Sequence, residues 1–220
     1  MSPATPVVPS HSAKPRIAMA LLALFSVVVA LVSLRFLILG LEPAFVGMID
    51  HVRERRLAFL AHVTAAPLAL GFGVLQFFPG LRARRPALHR WTGRFYVAMV
   101  VAGGVSGLVL AFDTVGGPIS GWGFGVLSVL WLGTTFQALR FAMKRHLIEH
   151  RRWMIYSFAL TFAAVTLRLQ LGFAIGVLQI DYATASMILA WSCWIPNLLF
   201  AQWWIARNPG LPVPVKAGAS

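Results

Sequence analysis

Acidic residues are scarce: the 220-residue chain has six aspartates and glutamates against nineteen lysines and arginines. Six carboxylates scattered over loops exclude a hard-metal site, which gathers oxygen ligands in one place. Cysteine is nearly absent. Cys193 alone cannot form an internal disulfide or a C-x-x-C redox pair. The chain also lacks a phosphate-binding glycine loop with lysine and a G-x-S-x-G nucleophile elbow. Charge of either sign amounts to 11% of residues, where a soluble domain carries roughly 25%.

What is present is apolar. Hydrophobic side chains make up 59% of the sequence and come in long runs, with a mean hydropathy of +0.78. This excludes a cytoplasmic enzyme, a disordered tail and a secreted scaffold, and leaves an integral membrane protein. A net charge of +13 would point to nucleic acid in a soluble chain. Here no arginine-rich arm, aromatic RNA platform or zinc-ligand spacing accompanies it. No nucleic-acid partner is expected, and anionic lipid headgroups are the natural counter-charge.

A bilayer core of about 30 Å takes roughly 20 helical residues to cross. Six stretches qualify: Ile17–Leu39, Leu57–Phe78, Trp91–Phe112, Ile119–Ala142, Trp153–Leu178 and Tyr182–Ala206. The expected fold is all-α, a bundle of six transmembrane helices over residues 17–206. Residues 1–16 form a disordered tail and 207–220 a flexible one. Lys14 and Arg16 precede the first run as they would in a signal peptide. Its apolar length and the missing Ala-x-Ala site make it an uncleaved helix.

The loops set the orientation. With both termini inside, fourteen of nineteen basic residues are cytoplasmic, ten of them in Pro79–Arg94 and Arg140–Arg152. The turns Asp113–Ser120 and Gln179–Asp181 hold none. The positive-inside rule therefore puts both termini in the cytoplasm. In the outer loop Glu42–Arg56, Phe45, Met48, Ile49 and Val52 recur opposite Asp50, Arg53 and Glu54, the pattern of a short surface helix.

Inside the bundle, small residues four apart permit close helix approach. Gly103/Gly107, Gly121/Gly125 and Gly172/Gly176 have that spacing. Because a helix advances about 100° per residue, polar residues also align in stripes. These are His62 with Gln76; His89 with Tyr96; His150 with Ser157, Thr161 and Arg168; and Ser186 with Cys193 and Asn197. Lipid contact would strand such groups, so the four stripes are expected to face one another.

The stretches GVLQFFPGLRARRPALHRWTGRFYV, EHRRWMIYSFALTFAAVTLRL and WIPNLLFAQW resemble the bacterial membrane family catalogued as domain of unknown function 2306. The similarity runs from about His62 to Trp204. It implies a shared fold and a multi-pass protein of the bacterial inner membrane, and supplies no chemistry.

Chemistry must come from the residues. His89 and His150 each sit at the head of a span on the cytoplasmic side, among Arg90, Arg94, Arg151 and Arg152. Two histidines at matching depth on different helices suit the axial positions of one haem b. The arginines, Arg94 and Arg151 among them, would neutralise its propionates. Gly93, Gly103 and Gly107 would leave room for the flat macrocycle. Transmembrane cytochromes b and ferric reductases look similar in placing histidine and then glycine at a helix head. The ferric-reductase spacing of about fourteen residues between ligands on one helix is not met here, since it reaches Gly103 and Ala164. The competing reading makes both histidines interfacial residues bonded to headgroups or backbone.

His62 lies within a span, and the other intramembrane ion of note is Arg168; Arg35 is expected to snorkel outward. His62, Arg168 and Asn197, with Gln170, form a candidate interior polar cluster for a quinone, a small anion or a proton. His146-Leu147-Ile148-Glu149-His150 matches H-x-x-E-H, but no third ligand is at hand, which argues against zinc-peptidase chemistry. Three functions remain open. The first is a haem-binding redox protein, a membrane oxidoreductase component with a redox partner. The second is a transporter or binding protein for a proton, lipid or small molecule. The third is a scaffold without a site.

Overall fold

The structure, a computed structural model, describes residues 14–44 and 53–208, the side chains of 14–16 excepted. Its helices are α1 (Lys14–Ser33), α2 (Phe36–Leu39), α3 (Leu41–Ala44), α4 (Arg56–Leu75), α5 (Pro79–Arg84) and α6 (Pro86–Ala111), followed by α7 (Gly117–Met143), α8 (Leu147–Thr161), α9 (Ala163–Gly176), α10 (Tyr182–Ser192) and α11 (Ile195–Arg207). No strand occurs among the described residues. Among the described residues, six helical stretches are long and apolar enough to cross a membrane: Ile17–Leu39, Arg56–Leu75, Pro86–Ala111, Gly117–Met143, Leu147–Gly176 and Tyr182–Arg207. The six expected crossings are all present. The tails at 1–13 and 209–220, and the surface-helix residues 45–52, lie outside the described residues.

Element ends follow from local chemistry. Pro79, Pro86, Pro118 and Pro196 each sit in a first helical turn, where a missing N–H removes no helical bond. Asp181 caps α10 by accepting from Thr184 N at 3.0 Å. The largest exposed side chains include Ile38 (89%), Leu57 (85%) and Phe112 (81%), which suits lipid and would be untenable in water.

The third and fourth spans are continuous, and Pro67 sits inside α4 without interrupting it. The fifth and sixth are not. The fifth breaks at Phe162 and the sixth at Cys193–Trp194, both near mid-span. Pro196 explains the second break: it has no N–H for the carbonyl of Ser192. Gln170 Nε2 donates to that carbonyl instead, at 3.3 Å, and Ser192 Oγ returns a bond to Gln170 Oε1 at 3.0 Å. Asn197 joins the two breaks. Its Nδ2 reaches Ala159 O (3.3 Å), Thr166 Oγ1 (3.0 Å) and Cys193 O (3.1 Å). Side-chain amides thus satisfy carbonyls exposed by imperfect helices, as hydrocarbon requires.

The main core gathers Leu70, Val74, Tyr96, Val100, Trp131 and Phe158 from spans two to five. A smaller cluster, Ala174, Ala185 and Leu189, joins α9 to α10. Two of the three glycine pairs sit at helix contacts. A Cβ on Gly103 would meet the Trp131 ring at 3.2 Å, and one on Gly121 would meet Ala111 O at 2.6 Å. Gly172 and Gly176 differ: nothing lies within 4 Å of a Cβ at either, so α9 turns them away from the bundle.

Candidate functional site

Polar side chains inside the bundle fall into three levels. The middle one is a hydroxyl network across spans three, four and five. Tyr96 Oη lies 2.6 Å from Ser157 Oγ and 2.8 Å from Thr161 Oγ1. Trp131 Nε1 donates to Thr161 Oγ1 at 2.8 Å, and Thr135 Oγ1 lies 2.6 Å from Ser157 Oγ. All five side chains are buried. The Tyr96 and Ser157–Thr161 stripes do face each other. Trp131 and Thr135, whose roles the stripes did not reveal, complete the network. Every group in it has a partner, so it works as an interhelical clamp.

The arginine-rich end holds the second level. His89 lies within electrostatic reach of Arg82, His150 and Arg90, and Arg151 within reach of Arg82. Spans three and five therefore place His89 and His150 at the same end of the bundle. Arg94 is elsewhere: its guanidinium sits over the Trp91 ring, 5.3 Å from the centroid.

Hydrogen bonds fix both imidazoles. His150 Nδ1 is 2.8 Å from the carbonyl of Ala138. A carbonyl only accepts, so Nδ1 carries the proton and Nε2 of the neutral ring has a lone pair. His89 meets Gln76 of the second span. Gly93 N can only donate and His89 O can only accept, which orients Gln76 Oε1 towards the first (3.2 Å) and Nε2 towards the second (3.3 Å). Gln76 Nε2 then donates to His89 Nδ1 at 3.0 Å, leaving the His89 proton on Nε2.

Two contributors here were not singled out from sequence. Gln76 falls on the His62 stripe, and Arg82 counts only as one loop arginine among several. Arg82 Nε is buried and has no hydrogen-bond partner among the described residues. A composition-based reading cannot separate it from Arg84 and Arg85, which are exposed.

The glycines expected to make room for a macrocycle face protein atoms. A Cβ on Gly93 would meet Gln76 at 3.2 Å, and one on Gly107 would meet Ser128 Oγ at 2.9 Å and the His62 ring at 3.2 Å. Among the described residues no three His, Cys, Asp or Glu side chains group as metal ligands. In the H-x-x-E-H segment, Glu149 pairs with Arg152 at 2.8 Å and His146 stacks on Phe141.

The third level lies towards the other end. His62 Nδ1 donates to the carbonyl of Gly103 at 2.8 Å. Arg168 is within electrostatic reach of His62 and of Arg35, and its Nη1 donates to Ala164 O at 2.9 Å. Arg35 also turns to backbone, at Ala44 O and Val32 O. The candidate cluster of His62, Arg168 and Asn197 therefore divides. Asn197 belongs with Thr166 at the helix breaks, and Gln170 with Ser192.

The six apolar helices agree with the family comparison. No curated protein and no solved structure matches the chain. The family model described as "Predicted membrane protein (DUF2306)" matches residues 59–205, which includes His62, His89, His150 and Arg168. The chain belongs to the DUF2306 family of predicted membrane proteins.

Proposed function

We propose that the chain is a membrane-embedded binding or transport protein for an anionic ligand bearing a phosphate or carboxylate. The ligand is taken at the arginine-rich end between Arg82, His89 and His150. The observation that carries this reading is the buried Arg82 Nε–H, which has no partner among the described residues. A buried donor left without an acceptor costs roughly 1–3 kcal/mol, more when charged. A ligand oxyanion removes that cost. His89 Nε2–H is a second donor, and the cluster's positive charge favours an anion over a neutral guest. By charge bias this end and both termini are cytoplasmic, and the membrane this reading takes is the inner one of a bacterial cell.

Free phosphate and a lipid headgroup share this chemistry. Purified chain in phosphatidylcholine nanodiscs is assayed with inorganic phosphate, and separately with phosphatidylglycerol mixed into the disc. The expected result is that one probe binds and Arg82→Ala weakens it at least tenfold. Equal binding by the two proteins removes the reading.

One further observation favours a second reading, a single haem b with a redox role and a quinone or other redox partner. The His150 ring is held through Nδ1 on a backbone carbonyl, the way iron-ligating histidines are commonly oriented. His89 and His150 would hold the iron, with Arg82 and Arg151 near the carboxylates. Against it stand the filled glycine positions and the proton on His89 Nε2, which would have to move. A reduced-minus-oxidised spectrum of protein expressed with haem supply decides. A b-type band lost in His150→Ala establishes haem, and a colourless folded protein leaves the anion reading.

A further inference from the structure

A groove of about 380 Å³ opens between α6 and α7. Val97 and Val101 line it from one helix, and Leu132, Gly133, Phe136 and Leu139 from the other. A Cβ on Gly133 would meet nothing within 4 Å, so the side chain that glycine lacks leaves this space open. Val101 (50% exposed) and Phe136 (66%) form its open sides. The lining offers no free polar group. Its one hydroxyl, Thr135 Oγ1, donates to Trp131 O at 2.8 Å and lies 2.6 Å from Ser157 Oγ.

The mouth of the groove has the opposite character. Helical periodicity puts Arg94 on the strip of Val97 and Val101, three and seven residues earlier. Arg140 follows Phe136 by four and Gly133 by seven, on the matching strip of α7. Both arginines are exposed and lie about one turn nearer the arginine-rich end than the apolar lining. Arg94 rests on the Trp91 ring, a contact to the guanidinium face that leaves its in-plane donors available. Protein carboxylates do not balance this charge: residues 79–94 and 140–152 contain one, Glu149, which pairs with Arg152 at 2.8 Å.

Size and charge together select the occupant. The lining covers about 10 Å of helix length, too little to seat another helix that crosses a bilayer core of about 30 Å. The volume is that of a small-molecule site. An apolar slot within the bilayer, with two guanidinium groups at its mouth, matches a lipid with one chain inward and an anionic phosphate at the interface.

We infer that α6 and α7 form a site for one anionic phospholipid, with an acyl chain in the groove and the headgroup phosphate shared by Arg94 and Arg140. The site is separate from the Arg82 cluster and does not depend on the anion reading above.

The test is native mass spectrometry of delipidated full-length protein in detergent, titrated with phosphatidylglycerol and, separately, phosphatidylcholine. Each comparison is repeated in an Arg82→Ala background, so that lipid held at that cluster is not counted. The expected result is one phosphatidylglycerol retained in preference to phosphatidylcholine. Arg94→Gln and Arg140→Gln each weaken its retention about fivefold, while Arg84→Gln, an exposed arginine off the groove, leaves it unchanged. Gly133→Leu puts a side chain into open space and lowers retention of either lipid. Equal retention of the two lipids, or an equal loss in Arg84→Gln, overturns the headgroup contact and the site with it. Phosphatidylglycerol retention unchanged in Gly133→Leu shows that the chain lies elsewhere and overturns it too. Losses that vanish in the Arg82→Ala background put the lipid at the Arg82 cluster, and a dimer mass lost in Gly133→Leu puts a second copy in the groove; either result overturns the lipid site.

Discussion

Gln170 on the fifth span donates from Nε2 to the carbonyl of Ser192 on the sixth at 3.3 Å, the carbonyl for which Pro196 has no N–H. A helix defect in one span is thus closed by a side chain from its neighbour. Interhelical hydrogen bonds in membranes are worth about 0.6 kcal/mol on average, with a ceiling near 1.7. Gln170→Leu is expected to cost about 1 kcal/mol. In a Pro196→Ala background, where residue 196 regains its own N–H, the same change costs clearly less. A double-mutant cycle on unfolding in bicelles measures it. A coupling of zero would mean that Gln170 does not serve the defect.

The hydroxyl network makes a similar demand at mid-bundle. Tyr96→Phe keeps the ring but removes the Oη that touches Ser157 and Thr161. Destabilisation of about 1–2 kcal/mol is expected. Tyr96→Phe and Ser157→Ala are non-additive, because each strands a group the other served. Strict additivity in the unfolding free energies would show two independent sites.

Close packing gives a contrast between glycines. A Cβ on Gly123 would stand 2.7 Å from Ala190 Cβ and 2.8 Å from Ala190 O, while at Gly133 nothing lies within 4 Å. Gly123→Ala is expected to cost about 1–3 kcal/mol through forced separation of α7 from α10. Gly133→Ala is neutral or stabilising, since alanine is the better helix former. Midpoints of thermal unfolding distinguish the two, and equal losses would contradict the helix contact.

Asp181 supplies a pH dependence outside the spans. The side-chain hydrogen bond from Thr184, and the backbone bond with it, hold its carboxyl below the usual carboxylate range. A depressed folded-state value means that the cap's stabilisation is present above the unfolded value, about 3.9. It is lost as pH falls through the lower, folded one. Melting between pH 6 and pH 2 is expected to fall further for wild type than for Asp181→Asn, which caps without a charge. Parallel curves would show that the cap contributes nothing to acid sensitivity.

The crossings were legible in the sequence because charge is excluded from hydrocarbon, so gaps between arginines measure helices. The facing of Tyr96 towards Ser157 and Thr161 was legible too, since helical periodicity puts each on a polar stripe. The break at Phe162 was not, because neither proline nor glycine marks it and the side chain that covers Ala159 O comes from the next span. Arg82 was hidden for another reason. Its loop neighbours Arg84 and Arg85 have the same chemistry, and only the fold decides which guanidinium turns inward. Splitting His62 and Arg168 from Asn197 likewise depends on which helix each stripe meets.

The most direct measurement is nitrogen NMR of histidine-labelled protein, titrated with inorganic phosphate in uncharged nanodiscs. The neutral tautomers expected carry the proton on Nε2 of His89 and on Nδ1 of His150. Phosphate then shifts both Nε2 resonances, and Arg82→Ala abolishes the shift. Unmoved His89 and His150 signals at saturating phosphate would contradict an anion site between them.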